Sequence, residues 1–465
     1  MFTVTVHDEN GTRQLDFDSQ VKADKVLFDA GIMLPKHCGG NGTCGKCKIL
    51  LNGNECLACQ TIIKKDAVIN YSSPKHAVIG VAETNIHLLY QKPLINQGFC
   101  AAIDIGTTTV AGYIYKFPEC KLVKTICLPN SQVMFGADVI SRINYTLTND
   151  ITDLQNSINT VINEIVKGYD VEKFVICGNT AMLHFLTAEN PKGLATAPYK
   201  ADRLFGEWFK NKFLVKCASA FIGGDITAAV LASGLTNDKT ALLVDIGTNG
   251  EMVLKTEDKM ICCSTAAGPC FEGAGIECGI PAVSGAISSV SVKNGKITFK
   301  TINDDTPVGI CGTGIIDAVA ALLELGIIDE TGYMENNFYF ENSSIYLSPK
   351  DVRNFQMAKS AIRSGIETLL EIAETSYDSI EKFYISGGFG SYLNIESAIK
   401  TGLIPSELKN KAIVLGNGAG AGASMILLNS DLIETSNKIA DEMETAELHA
   451  NAFFMDKYLE NMGFN

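Results

Sequence analysis

The sequence predicts a small α+β module followed by a larger α/β domain. Three observations carry this. Residues 1–65 run strand, hairpin, helix, glycine-rich cysteine loop and strand. A strand–turn–strand motif at Ala101–Ile114 returns closely at Ala241–Leu254. Further apolar strands, ending in glycine turns that open helices, alternate through the rest of the chain.

The first module reads as a β-grasp unit. Thr3–Val6 is a strand, Gly11 marks a turn and Gln14–Phe17 returns. Lys22–Ala30 is helical and stops at Gly31, a C′ glycine. Cys38-Gly-Gly-Asn-Gly-Thr-Cys44-Gly-Lys-Cys47 follows, three cysteines at C-x5-C-x2-C spacing in a loop of glycine and small polar residues. Lys48–Leu51 is a strand, Asn52-Gly53 a hairpin signal, and Thr61–Ile63 resumes the sheet after Cys59. Four thiolates around one tight loop suit a [2Fe–2S] cluster. Glycine supplies the sharp turns that aim backbone N–H groups at sulfur. Cys56 competes with Cys59 as fourth ligand. A four-cysteine zinc site is the rival reading, but zinc favours two separated C-x2-C pairs and would leave Cys38 over. Residues 66–98 read as a connector with a strand-like Ala77–Ala82.

In the larger domain, Asp104-Ile-Gly106-Thr107-Thr108 and Asp245-Ile-Gly247-Thr248-Asn249 each sit between apolar strands. This suits a pair of phosphate hairpins. Strands anchor the turn, the aspartate at its tip orients Mg²⁺ or water, and Gly and Thr present donors to phosphate oxygens. Asp138, Asp225 and Glu272 are further candidate site residues, each equally readable as a helix cap or solvated carboxylate. His184 reads as a core histidine. Gly309–Gly314 precedes a helix over Ile315–Leu325. Phe383–Ser386 runs into Gly387-Gly388, a turn that lets a ribose and α-phosphate approach the backbone. Leu415–Ala423 opens a helix to Leu428, and Phe453–Leu459 is an amphipathic C-terminal segment read as docked core.

Composition narrows the function classes. The 465 residues suffice for two to four domains, and 46% hydrophobic with 19% charged content is that of a globular protein. A net charge of −14 argues against nucleic acid as a partner. No apolar run approaches a membrane span, and the N-terminus shows no signal peptide, so no membrane is expected and a cytoplasmic location is. Most of the fifteen cysteines are scattered and read as reduced, buried thiols.

The first module resembles plant- and adrenodoxin-type [2Fe–2S] ferredoxins. The resemblance favours Cys59 over Cys56, because Leu57-Ala-Cys59-Gln60 places the thiol just before a strand, as in related fused modules. The paired Asp-x-Gly-Thr hairpins and the later Ser-Gly-Gly turn resemble the actin/sugar-kinase/Hsp70 (ASKHA) ATPases. With Phe135–Ile143, Gly178–His184, Ala266–Ala274 and Gly309–Gly314, nearly the whole chain is similar to reductive activators of corrinoid proteins. The implied fold is an α+β β-grasp ferredoxin domain followed by a two-lobed α/β ASKHA ATPase. It divides into residues 1–65, a linker at 66–98, and subdomains at 99–238 and 239–465. The segment between the two parts is shorter than in longer members, which leaves a separate linker or dimerisation domain in doubt.

The resemblance also implies roles. Cys38, Cys44, Cys47 and Cys59 hold the cluster. Asp104 and Asp245 position Mg²⁺ and the attacking water. Gly106, Thr107, Thr108, Gly247, Thr248 and Asn249 cradle the phosphates of ATP, and Gly387 and Gly388 lie along the nucleotide. The partners are a corrinoid protein and an upstream low-potential electron donor, and a homodimer is compatible with the sequence. The implied activity is ATP-dependent one-electron reduction of Co(II) to Co(I). The alternatives are a small-molecule kinase with an attached redox-sensing ferredoxin module, and an electron carrier switched by ATP.

Overall fold

The computed structural model describes residues 1–8, 11–32, 34, 42, 47–71, 91–388 and 392–464. The N-terminal module is a five-stranded sheet in the order Gly11–Phe17, Phe2–Asp8, Ala67–Asn70, Lys48–Leu51, Asn54–Leu57. Helix Ala23–Asp29 packs Val26 and Leu27 into its core beside Val4, Val6, Ile49 and Ile69. The Asn52-Gly53 signal holds. Both residues have positive φ (50° and 83°), and Leu51 faces Asn54 across a two-residue turn.

Two expectations about this module are corrected. Its boundary at residue 65 is too early, because Ala67–Asn70 pairs parallel with Phe2–Asp8 and antiparallel with Lys48–Leu51. Tyr71 then donates its N–H to the His7 carbonyl at 2.9 Å. That four-residue strand carries no turn signal of its own, so it reads as connector. Ile62–Ile63 does not rejoin the main sheet; it pairs with Val21–Lys22. The strand-like Ala77–Ala82 lies outside the described residues. The far end of the connector is corrected too. Gln91 and Leu94 donate to the carbonyls of Leu428 and Leu427 (3.5 and 3.1 Å), and Lys92 pairs with Asp431 at 2.6 Å. Residues 91–97 therefore begin as part of the larger domain rather than as linker.

The larger domain repeats one layout. Its first sheet runs Lys121–Pro129, Thr109–Phe117, Gly98–Ile105, Val171–Gly178, Lys212–Leu214, Glu207–Phe209. The second runs Ala412–Gly416, Lys382–Ser386, Ala241–Ile246, Gly250–Lys255, Met260–Thr265, Met443–Thr445. Each begins as an antiparallel meander whose first strand then pairs parallel with a later strand. The motif repeat in the sequence is thus a repeat of topology. The central strands are covered on both faces, which is why they read as unbroken apolar runs. Ile103 and Ile105 face a core inside the first lobe, and Leu242, Val244 and Ile246 one inside the second.

The alternate residues, Ala102 and Leu243 among them, face a third core shared by the two sheets. It is filled by helices Gly224–Ser233 and Gly418–Leu428, one following each lobe's parallel strands. The two helices cross almost backbone to backbone. A Cβ on Gly422 would overlap the Ala228 carbonyl, and one on Gly420 the ring of Tyr113. Helix Leu432–Glu442 follows and reaches the first lobe through Lys216–Asp441 (2.5 Å) and the bond from Asn437 to the Gly206 carbonyl (2.9 Å). The C-terminal helix Ala452–Glu460 docks Phe454 and Tyr458 on the second lobe's core and leaves Met455 and Leu459 exposed.

The crossing gives a first prediction. Gly422→Ala forces the helices apart, and overpacking of this kind costs about 1–3 kcal/mol. Denaturant titration should show that loss, whereas alanine at the open position Gly326 sits in αL geometry and costs only its backbone strain (φ 66°).

Candidate functional site

The two hairpins meet in one cavity of about 430 Å³ between the lobes. Asp104, Gly106, Thr107, Thr108, Asp245, Gly247, Thr248, Asn249, Gly387 and Gly388 all line it. Each hairpin closes on itself: Gly106 N–H donates to the Thr109 carbonyl at 2.9 Å and Gly247 N–H to the Asn249 carbonyl at 3.0 Å. Register explains the aspartates' neighbours. Parallel pairing sets Asp104 opposite Cys177 and Asp245 opposite Ser386, and a glycine follows in each case. Gly387 has φ 119° and lies so close to the Ile246 carbonyl that no side chain fits there.

The first hairpin is braced from behind by polar groups that sequence reading missed. Asn130, wholly buried, donates to the Gly106 carbonyl at 2.8 Å. Arg142, also wholly buried, donates through Nη2 to the Thr107 carbonyl at 2.7 Å and through Nε to the Gly136 carbonyl at 2.9 Å. Asn179 caps helix Thr180–Thr187 and donates to Thr107 Oγ1 at 3.2 Å. The motifs holding these residues stand out in the sequence, but their targets are mostly backbone carbonyls, which no residue type announces. Burial lowers the Arg142 guanidinium to about 10, against the pull of the charges of Asp138 and Glu272. Among the three acidic candidates, Asp138 is not in the cavity. It caps helix Val139–Thr146 through Ser141 N–H at 2.7 Å. Asp225 and Glu272 do line it. His184 is buried, bonded from Nδ1 to the Thr180 carbonyl at 2.8 Å.

The cavity is strongly acidic. Burial pushes the Asp104 carboxyl up to about 6, opposed by a 2.8 Å bond from Asn417 and reinforced by Asp245. Asp225, in the first turn of helix Gly224–Ser233, is raised by burial and by the charges of Asp104 and Asp245. Asp245 is raised by burial, opposed by the Ser386 hydroxyl. Glu251, a lone carboxylate in an otherwise apolar strand, is raised by burial and then by Asp225 and Asp245. That misplaced charge in Gly250–Lys255 is the signal that could have found it. These carboxylates crowd beside donors suited to phosphate, although among the described residues no three His, Cys, Asp or Glu side chains are gathered as a metal site.

Two of the three described cysteines of the first module come together. Cys47 and Cys59 are both buried, their sulfurs 3.2 Å apart, well beyond the ~2.05 Å of a disulfide. The hairpin causes this: Lys48 faces Leu57, so the residues just outside that pair, Cys47 and the turn Ala58–Gln60, meet, with Ala58 N–H on the Cys47 carbonyl at 2.9 Å. Gln60 Nε2 approaches Cys59 Sγ at 3.6 Å. Cys56 instead lies within the strand, opposite Ile49. Cys38 and Cys44 lie outside the described residues.

Comparison with known proteins agrees with this geometry. Residues 239–465 match the family model described as the C-terminal domain of RACo, the ASKHA domain, and residues 99–238 the model described as the RACo middle region. The corrinoid activation enzyme RamQ of Eubacterium limosum is 33% identical over 80% of this chain and 71% of its own length. A Co(II) methylated amine-specific corrinoid protein reductase of Methanosarcina barkeri is 27% identical over 76% of each. The solved structure of a reductive activator for corrinoid, iron–sulfur protein superposes with a TM-score of 0.73 at 27% identity, covering 100% of this chain and 98% of that one.

Two outcomes are expected at this site. Arg142→Met strips donors from the buried Gly136 carbonyl and the half-buried Thr107 carbonyl, at about 1–3 kcal/mol each, so denaturant titration should show a loss of about 2–6 kcal/mol and calorimetry a weaker grip on ATP. The acidic cluster sets the pH dependence. Carboxylates raised above their unfolded values keep protons in the folded state, so their contribution is full below pH ~4 and lost as pH rises through about 6 for Asp104. Without divalent cation the melting temperature should fall from pH 5 to pH 8, and Mg²⁺ should recover more of it at pH 8. Asp225→Asn should flatten the slope.

Proposed function

The chain belongs to the family of reductive activators of corrinoid proteins, and from that premise we propose that it reduces the cobalt of a corrinoid protein from Co(II) to Co(I) in a step driven by ATP. One observation carries the coupling. A single chain gathers both hairpin tips from two lobes around one cavity and, in a separate module, brings Cys47 against Cys59.

The N-terminal module is then a β-grasp ferredoxin domain whose cluster is held by Cys38, Cys44, Cys47 and Cys59. The paired thiols of Cys47 and Cys59 fit that role, and the strand position of Cys56 disfavours it as fourth ligand. A [2Fe–2S] cluster bound there supplies one electron at low potential, near about −400 mV for plant-type centres. An upstream low-potential donor restores it. A shortfall of about 100 mV against the cobalt couple is roughly 2.3 kcal/mol for one electron, within reach of nucleotide binding and turnover.

In the cavity, Asp104 and Asp245 would hold Mg²⁺ together with the phosphates of the nucleotide. The N–H and hydroxyl groups of Gly106, Thr107, Thr108, Gly247, Thr248 and Asn249 take the phosphates, and Gly387 and Gly388 lie along the nucleotide. Positioning and charge stabilisation are most of what phosphoryl transfer requires. No helix among the described residues is long and apolar enough to cross a membrane, and a cytoplasmic setting would keep the other thiols reduced.

The test is an anaerobic ultraviolet–visible assay on Co(II) corrinoid proteins. Conversion to Co(I) on adding ATP supports the proposal. Phosphorylation of a sugar or acid, with no cobalt reduction in any corrinoid protein tried, would overturn it. Cys59→Ser should abolish electron delivery and leave ATP hydrolysis within about twofold, whereas Cys56→Ser should leave both intact.

A further inference from the structure

Among the described residues, Glu272 is the one carboxylate that accepts a side-chain hydrogen bond from both hairpins. It accepts from Thr108 Oγ1 at 2.6 Å and from Thr248 Oγ1 at 2.8 Å. Thr108 belongs to the first lobe, Thr248 and Glu272 to the second, so this side chain spans the cleft. Its backbone is held firmly. Pro269–Glu272 forms a short turn between Gly268 and Gly273, at φ 78° and 80°. Phe271 beside it is buried edge-on to Phe355, ring centroids 5.6 Å apart.

A threonine hydroxyl has one proton to donate. In this structure both protons point at Glu272. A phosphate oxygen arriving at the hairpin tips needs the same two protons, and two anions cannot share them. The phosphate also finds the turn N–H groups and a dication, so it takes the hydroxyls and Glu272 loses its donors. Three other wall carboxylates have donors outside the hairpin tips: Asp104 has Asn417, Asp245 has Ser386, and Asp225 has the Ile226 N–H at 2.9 Å, while Glu251 has only a long 3.5 Å contact from Asn249.

We propose that Glu272, rather than Asp104 or Asp245, holds the attacking water for ATP hydrolysis, and that Thr108 and Thr248 occupy it until a terminal phosphate claims their hydroxyls. This rests on reading the cavity as an ATP site. Released from the hydroxyls, the carboxylate accepts a hydrogen bond from water. The water oxygen bonds to the terminal phosphorus, its proton passes to Glu272, and the bond from phosphorus to the bridging oxygen breaks. ADP leaves with that electron pair, and the proton returns to the phosphate product. Hydrolysis is thereby confined to the state in which a triphosphate has displaced the carboxylate, and ADP leaves the clasp in place.

The experiment compares wild type with Glu272→Ala and the near-isosteric Glu272→Gln. Calorimetry with Mg²⁺ and either ADP or a non-hydrolysable ATP analogue reads binding, and phosphate release reads turnover. Removing the internal competitor should tighten analogue binding about tenfold in Glu272→Ala and leave ADP within about twofold. Turnover should fall by at least about 100-fold in both variants, the scale of a lost general base. Parallel weakening of both ligands, as a cation ligand or a structural brace would give, overturns the inference. So does turnover retained in Glu272→Gln. A wild type that binds neither nucleotide sinks the ATP reading itself, an outcome separate from either.

Discussion

The close crossing of helices Gly224–Ser233 and Gly418–Leu428 is the constraint on which the rest depends. Backbones meet there because Gly422 faces the Ala228 carbonyl and Gly420 faces Tyr113. The crossing closes a core to which both sheets contribute. It also aims two helix N-termini at one place. Asp225 stands in the first turn of one helix, and Asn417 caps the other while bonding Asp104. A side chain at the crossing would part the lobes and carry those two residues away from the hairpins. Site geometry and lobe packing are therefore one problem, solved by small residues far from any reacting atom.

Electrostatics then decides what the cleft can hold. Asp104, Asp225, Asp245, Glu251 and Glu272 share one cavity, and burial with mutual repulsion raises several of them. A bare phosphate would be repelled. Two features offset this. A dication, if bound, would satisfy the carboxylates and the phosphate together, and the buried guanidinium of Arg142 sits behind the first hairpin, bonded to carbonyls rather than to a carboxylate. Its charge is thus available to the cleft, with Asp138 and Glu272 the acidic groups that feel it. The second hairpin relies on the Ser386 hydroxyl beside Asp245 and the Glu272 clasp on Thr248.

Much of this was legible because local patterns carried it. The matched hairpins, the Asn52-Gly53 turn, the helix to Leu428 and the docked C-terminal segment follow from periodicity and turn chemistry, and the structure has each in place. What escaped depends on partners distant in sequence. Strand Ala67–Asn70 is four residues long and is defined only by its neighbours. Arg142 and Asn130 act on carbonyls. Glu251 looked like part of a strand, and Asp138 was indistinguishable from a site carboxylate until its capping partner Ser141 appeared. The choice between Cys56 and Cys59 turns on hairpin register, which spacing alone leaves open.

The connection between the two chemistries has a physical route. Helix Gly418–Leu428 begins at the cavity, where Asn417 bonds Asp104. It ends where the chain arrives from the N-terminal module: Gln91 and Leu94 donate to the carbonyls of Leu428 and Leu427, Ser430 N–H donates to the Lys92 carbonyl at 2.7 Å, and Lys92 bridges to Asp431. Eleven helical residues at about 1.5 Å each give a rod of roughly 16 Å. The helix therefore has a cavity aspartate bonded at one end and the first described residues after the N-terminal module bonded at the other. Because it also crosses the partner helix without clearance, it cannot shift along its axis unless the lobes shift with it. The same helix thus ties the segment that enters the larger domain at Gln91–Leu94 to the wall of the cavity at Asp104, so the packing of one is not independent of the other.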